Sequence, residues 1–370
     1  MSRLRVAYTG NFESSITRIW IDEMRRRGVE PVALSVQRPS WEIEWAPIVL
    51  RRPRVRGLGF GRRDIANQIR NACRTHSIDV LHSHEARLNA FWASWSGFHP
   101  HVVSCWGSDV LRLEGMSAEY LRRLRRALST ADAVTCGSQH LVGSAVGAGA
   151  RRELCVRVGW GVDTATYRPD MESRRLVREQ WCAGERPVVL STRQLKPLYR
   201  IDAIIWAFSL ARRENRELFL VVAGDGPERG HLERLAAELG VAGHVLFTGH
   251  VPYQGWPTMA DVLRGGDVYC SVPETDGGPL SVLEAMATAL PVIASDIPVM
   301  REWIVGGRNG LLWGGGEEAL AELMMLGLVS RQAIGGAARE FVQTHHERRK
   351  EMDRVREMYD RLIEGGVDDH

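Results

Sequence analysis

Residues Ser271–Glu302 read SVPETDGGPLSVLEAMATALPVIASDIPVMRE. The stretch opens with an acid-and-glycine turn, Glu274-Thr275-Asp276-Gly277-Gly278-Pro279. A helix-type run follows from Leu280 to Leu290, and the buried-strand pattern Pro291-Val292-Ile293-Ala294-Ser295 closes the unit. Seven residues separate Asp276 on the loop from Glu284 inside the helix. Backbone N–H groups at a helix start attract anions such as phosphate. An acid within the helix can reach ribose hydroxyls, and an acid on the loop can reach a sugar hydroxyl. The stretch therefore suits a nucleotide-sugar with its diphosphate over the helix N-terminus. The plainer alternative is an ordinary αβ unit with a glycine-rich turn.

Outward from this unit the chain alternates strand-like and helix-like segments, the pattern of parallel sheets covered by helices. In the first half, Val6 to Thr9, Glu30 to Val36, Asp79 to His82, Val102 to Cys105 and Ala131 to Cys136 read as strands. Ser14 to Arg27 reads as a helix, with Ile16, Ile19, Trp20 and Met24 at helical spacing and Gly28 as its stop. A second series starts at Pro187 to Ser191. It continues through Leu218 to Gly224, Val245 to Thr248, Val268 to Ser271 and Val292 to Ser295, and a last helix is expected from about Arg331 to Ile363. Ligands of such sheets bind beyond the C-terminal strand ends. That is where Thr9-Gly10-Asn11, His82-Ser83-His84 and Trp106-Gly107-Ser108-Asp109 fall. The expected division is 1–165, 166–345 and a closing helical segment 346–370.

With 370 residues, 44% hydrophobic and 25% charged, the chain has the composition of a soluble globular protein with two cores. No apolar run is long enough to span a bilayer. The N-terminus enters a strand at Arg3 without a secretory pattern, and six cysteines are scattered without zinc-type spacing. A reducing cytoplasm is expected. Residues 1–165 carry 24 arginines against 15 acids (net +9). The rest carries 24 basic residues against 30 acids (net −6), consistent with +3 overall. A basic first half suits an anionic acceptor or peripheral contact with a membrane surface, or simply an arginine-coated exterior. No nucleic-acid partner is expected.

The turn–helix–strand string resembles the retaining glycosyltransferases of family 4, of the group 1 type. Their signature is an acid, a glycine turn, seven residues to a second glutamate, then Ala-Met-Ala and Pro-Val. Here Glu284 is followed by Ala285-Met286-Ala287 and Pro291-Val292, while Asp276 stands where Glu is usual and Glu274 could compete for the role. The resemblance implies the GT-B fold: two doubly wound α/β Rossmann-like domains facing each other across a cleft. The N-terminal domain would take the acceptor and the C-terminal domain the donor, with the final helix crossing back onto the first domain.

Other residues extend the pattern. In Ser191 to Arg200, fixed cations could stabilise a leaving diphosphate. Similar enzymes use an Arg and a Lys here; Arg193 matches, but the lysine position is Tyr199, leaving Lys196 as the preferred substitute and Arg200 as the other. Gly224-Asp225-Gly226-Pro227 looks like the family's Gly-Asp-Gly-Pro turn. At Thr248-Gly249-His250, related enzymes bind the nucleobase through backbone; His250 itself reads as a surface residue. In the first half, Trp106 replaces a histidine common in relatives and either stacks on an acceptor with Gly107 and Ser108 or packs in the core. Asp109 either orients an acceptor hydroxyl or caps the next helix. His82 and His84 are expected to point to opposite sides of their strand, which argues against a shared metal, and His84 is the acceptor-side candidate. Gly10 and Asn11 allow close approach of a phosphate or acceptor. The basic loop Arg51 to Arg56 with Arg62 and Arg63 is an anion clamp or a solvated loop.

The expected reaction moves a sugar with retention from a nucleoside-diphosphate sugar to a hydroxyl of a glycan, lipid or small molecule. Asp276 would bind a donor-sugar hydroxyl, Glu284 the ribose, and Arg193 with Lys196 the diphosphate. N–H groups near Gly278 to Leu280 and at Gly10 would complete the phosphate site, with Gly277 and Pro279 shaping the same turn. No metal and no cofactor is expected. The rivals are a sugar-nucleotide epimerase or hydrolase of the same fold, and a non-catalytic nucleotide-sugar binder, which the departures at Asp276 and Tyr199 suggest.

Overall fold

A computed structural model describes residues 3–36, 48–51, 60–251 and 256–365. Most of the Arg51 to Arg56 loop falls outside the described residues, as do the side chains of Arg62 and Arg63. The chain forms two compact units, one of Met1–Trp160 with Arg349–His370, the other of Gly161–Arg348.

Among the described residues, unit 1 holds β1 (Leu4–Thr9), β2 (Val29–Ser35), β3 (Ile48–Val49), β4 (Val80–His84), β5 (His101–Cys105), β6 (Ala133–Cys136) and β7 (Cys155–Arg157). They form one parallel sheet in the order β3-β2-β1-β4-β5-β6-β7. Unit 2 holds β8 (Val188–Ser191), β9 (Phe219–Val222), β10 (Val245–Phe247), β11 (Val268–Ser271), β12 (Val292–Ser295) and β13 (Leu311–Trp313), parallel in the order β10-β9-β8-β11-β12-β13. In both sheets the strand order reverses beside the first strand, which opens a crevice at the carboxyl ends there.

The apolar strands bury both faces because successive side chains alternate. In unit 2, Val188, Leu190, Phe219 and Val221 enter one core, and Val189, Leu220 and Val222 the other. In unit 1, Val6, Tyr8, Val80 and Val102 face a core under the helix Ser15–Arg26, while Ala7 and Leu81 face the opposite side. The short strands, four residues in β8, β9, β11 and β12, match the apolar runs in the sequence.

Two expectations change. The long last helix is two helices, Arg331–His345 and Arg348–Glu364. Neither Pro nor Gly interrupts the sequence there. The break comes from tertiary contact: Val162 donates to the His346 carbonyl (2.8 Å) and accepts from Arg348 (3.0 Å). Gly161 fits beside this crossing only without a side chain, since its φ is +59° and a Cβ would lie 2.4 Å from the Arg348 Cα. The second change is at β4, which runs on through His84. His82 and His84 therefore share a face, as a two-residue period requires. Their rings are 4.8 Å apart, so the expectation that they diverge is overturned.

The helix Arg348–Glu364 finishes unit 1. Met352, Val355, Met358 and Tyr359 complete the core that contains Tyr8 and Trp20, and Arg27 pairs with Asp353 at 2.8 Å. The Tyr359 hydroxyl lies 2.5 Å from His82 Nδ1 and 3.4 Å from the Tyr8 hydroxyl, all three residues fully buried. Among the described residues no helix is long and apolar enough to cross a membrane. Tyr359→Phe should leave a buried His82 nitrogen unpaired and cost about 1–3 kcal/mol; urea unfolding followed by tryptophan fluorescence measures it.

Candidate functional site

The first strand of unit 2 delivers the loop that carries Arg193. The turn Gly224-Asp225-Gly226 presses directly against it. A Cβ at Gly224 would lie 2.2 Å from the Arg193 carbonyl oxygen, and one at Gly226 would lie 2.4 Å from that of Leu195. Backbone bonds lock the contact: Leu195 N–H to the Asp225 carbonyl (3.1 Å) and Glu228 N–H to the Leu195 carbonyl (3.0 Å).

From this seat the Arg193 guanidinium meets Asp276 at 2.6 Å through Nη2 and Ser281 Oγ at 3.0 Å through Nη1. Its plane lies over the Tyr199 ring, 4.2 Å from the centroid. Burial opposes the charge on Arg193, but Asp276, with smaller help from Tyr269 and Tyr199, raises its pKa overall. Asp276 also accepts from Gly278 N–H at 3.1 Å. Gly278 has φ +142° and stands 3.4 Å, measured from a built Cβ, from the Trp303 ring, so a side chain there is strained.

The helix Leu280–Ala287 starts at Pro279 without a side-chain cap, leaving its first N–H groups to other partners. Ser281, absent from the expected site, is in its first turn; its place inside the motif string was the available signal. Glu284 is buried one turn further on. Burial pushes its carboxyl above the ordinary glutamate value, against a hydrogen bond from Tyr167 and the nearby charge of Arg348. A carboxylate held in this way gains from a ligand hydroxyl that donates to it.

The remaining candidates of unit 2 are scattered around this group. Lys196 is exposed and unpaired among the described residues. Arg200 sits at φ +52° with its guanidinium 4.7 Å from the Trp313 centroid, which turns it to packing. Glu274 is exposed, and its N–H donates to the Leu198 carbonyl at 3.0 Å. Gly249 is buried at φ +77° and His250 is exposed. Pro279 and Gly277 are buried.

In unit 1 the ends of β1, β4 and β5 bring Gly10, His84 and Trp106 together. A Cβ at Gly10 would meet the His84 Cβ at 2.9 Å. Asn11 is exposed, and its side chain accepts from Glu13 N–H at 3.1 Å. Asp109 does not cap the next helix: it lies inside the helix Ser108–Leu111, which has no side-chain cap, and its carboxylate binds backbone amides around the turn. It is 1% exposed and accepts from Ala86 N–H (2.8 Å), Gly107 N–H (2.8 Å) and Trp106 N–H (3.1 Å). With these bonds it fixes the turn. Ser108 is exposed and its hydroxyl accepts from Arg87 at 3.0 Å. His84 is 0% exposed and ringed by aromatic side chains, so in this conformation it is not at a surface. The next residue, Glu85, was passed over in the sequence. It takes φ +66°, a costly conformation for a residue with a side chain, and its carboxyl is raised by burial and by Asp109. Among the described residues no group of three or more His, Cys, Asp or Glu is placed to hold a metal ion.

Residues 173–339 match the family model for glycosyl transferases group 1, and residues 5–138 match the model for glycosyl transferase 4-like proteins. The chain belongs to the family 4 type of glycosyltransferases. It is 34% identical over 199 residues to the GDP-mannose-dependent alpha-(1-6)-phosphatidylinositol monomannoside mannosyltransferase of Mycolicibacterium smegmatis, covering 50% of each chain. It is 30% identical over 179 residues to the D-inositol 3-phosphate glycosyltransferase of Nocardia farcinica, covering 46% of this chain and 39% of that one. The matched region thus spans about half the length of these curated relatives or less. Among solved structures, Anabaena HepE with UDP-glucose is 17% identical with a TM-score of 0.81, covering 97% of this chain and 100% of that one. The sucrose-phosphate synthase of Thermosynechococcus elongatus is 16% identical with a TM-score of 0.78, covering 98% and 100%. These likenesses give the fold as GT-B: two parallel-sheet Rossmann-like domains.

In this family member the buried Glu284 has a consequence for pH. A carboxyl raised on folding binds its proton more tightly in the native state, so stability falls as pH rises from the unfolded value, near 4.5, through the raised one. Glu284→Gln should therefore be more stable than the parent at neutral pH. The gain should vanish below about pH 4, as urea midpoints measured across pH would show.

Proposed function

We propose that this chain transfers a glycosyl group, with retention of configuration, from a nucleoside-diphosphate sugar bound on unit 2 to a hydroxyl acceptor bound on unit 1. The observation that carries the donor side is the convergence of Arg193, Asp276 and Ser281 at the uncapped start of the helix that also bears Glu284. A cation and the backbone N–H groups of one helix start make an anion site. The family membership supports reading the anion as a diphosphate.

Arg193 is paired with Asp276. A diphosphate over the helix start competes for the guanidinium, whose two-pronged donor geometry suits phosphate oxygens. The carboxylate so released can accept from a donor-sugar hydroxyl close to the anomeric carbon. Glu284 takes the ribose hydroxyls. As the bond from the anomeric carbon to the diphosphate oxygen breaks, negative charge grows on that oxygen, and Arg193 together with the exposed Lys196 stabilises it. The acceptor hydroxyl attacks from the face the diphosphate leaves and gives its proton to the departing phosphate oxygen. The scheme asks for no strong side-chain base, which agrees with Asp109 being occupied by backbone amides. Metal independence is part of the proposal.

The donor panel should include both GDP- and UDP-sugars. The Mycolicibacterium relative is named GDP-mannose-dependent, and HepE was solved with UDP-glucose. Release of nucleoside diphosphate with and without acceptor tests the activity, and NMR of the product anomer tests retention. Arg193→Ala should lower kcat by about 10²–10³-fold, the usual effect of removing one transition-state donor, with Arg193→Lys in between. Release of free sugar or an epimer irrespective of acceptor would refute transfer. Tight donor binding with no turnover in the parent chain would refute catalysis.

A further inference from the structure

The two histidines of β4 share a face but not a fate. His82 is satisfied at both nitrogens, by the Tyr359 hydroxyl at 2.5 Å and Ser104 Oγ at 2.7 Å. His84 is equally buried, and neither of its ring nitrogens has a partner. Its neighbours are the rings of Trp20 at 5.4 Å, Tyr8 at 5.5 Å, Trp106 at 5.7 Å and Trp160 at 6.2 Å, besides His82. The Nε1 atoms of Trp106 and Trp20 are buried without a partner as well. Buried polar atoms are almost always paired, so an imidazole and two indole N–H groups left open in one aromatic cage point to an occupant.

The chemistry of the open atoms selects it. Neutral imidazole offers one acceptor nitrogen and one N–H, and indole offers only an N–H. Burial holds His84 near a pKa of about 3, so it stays uncharged at neutral pH. An ammonium only donates and would leave the indole unpaired. A phosphate or carboxylate only accepts and would leave the acceptor nitrogen unpaired, facing the negative ring faces of the cage. A hydroxyl does both: it donates to the imidazole and accepts from the indole. The cage members that reach solvent are Trp106 and Trp160, with rings 5.0 Å apart. Trp106 is a partly exposed wall of the cage, so a change of its side-chain rotamer would open the cage to solvent while Asp109 holds the backbone of the turn.

We propose that His84 and Trp106 form the binding subsite for an uncharged, hydroxyl-bearing ring of the acceptor, such as a glycoside or cyclic polyol, with Trp106 moving to admit it. This rests on the transferase reading and deepens it. It makes His84 a positioning residue that accepts the hydroxyl hydrogen bond and takes no proton. Gly10 belongs to the same device, because only a residue without Cβ leaves room for the His84 Cβ.

The test uses the full chain titrated with methyl α-D-glucopyranoside, methyl α-D-mannopyranoside and myo-inositol as neutral probes. D-glucuronate and D-glucosamine serve as charged ones. Tryptophan fluorescence and histidine ¹⁵N NMR are the readouts. At least one neutral probe should bind and shift the His84 nitrogens. His84→Phe should weaken that binding by about tenfold or more with nucleoside diphosphate affinity unchanged, and His84→Gln, which keeps a donor and an acceptor, should restore most of it. Charged probes binding as well as neutral ones, no neutral probe binding, or His84→Phe binding like the parent would each overturn the proposal. Nucleoside diphosphate binding, scored in the same samples, reports separately on the transferase reading.

Discussion

The Arg193 loop has a fixed position because two backbones touch where no side chain fits. Gly224 and Gly226 bring their turn within bonding distance of the Arg193–Leu195 main chain, and that contact sets where the guanidinium leaves the sheet. From there the ion pair with Asp276, the bond to Ser281 and the stacking on Tyr199 follow from ordinary side-chain reach. A Cβ at Gly224 or Gly226 would force the two backbones apart and carry the guanidinium with the loop.

Much of this was legible beforehand. The strands of both units announce themselves as short apolar runs, because a parallel sheet covered on both sides hides every side chain. The motif string located Asp276, Glu284 and the glycine turn, and the strand-turn pattern located Arg193. What escaped reading is tertiary. The break near His346 has no local cause, since it is made by Val162 from far along the chain. The stacking partner of Arg193 is Tyr199, a residue that in sequence registers only as a missing lysine. The β4 histidines both lie on the Val80 face, because the strand runs on through His84 and keeps its two-residue period.

Asp109 and His84 show how burial redistributes roles that sequence alone leaves open. The carboxylate of Asp109 is spent on three backbone amides and so becomes part of the scaffold. His84 keeps both nitrogens open under aromatic cover. A short polar turn after a parallel strand is the usual place for function in such sheets, but which of its members are free to act depends on which backbone groups need a partner first.

The closing helix sets an order on synthesis. Unit 1 is discontinuous: Met352, Val355, Met358 and Tyr359 fill the same core as Tyr8 and Trp20, yet more than three hundred residues intervene. The nascent N-terminal sheet thus leaves the ribosome with one face only partly covered and His82 short of its tyrosine. It waits while the whole of the other unit is translated and can fold as an uninterrupted segment. A chain stopped short of the last helix would carry a finished second unit and an open, aggregation-prone first unit.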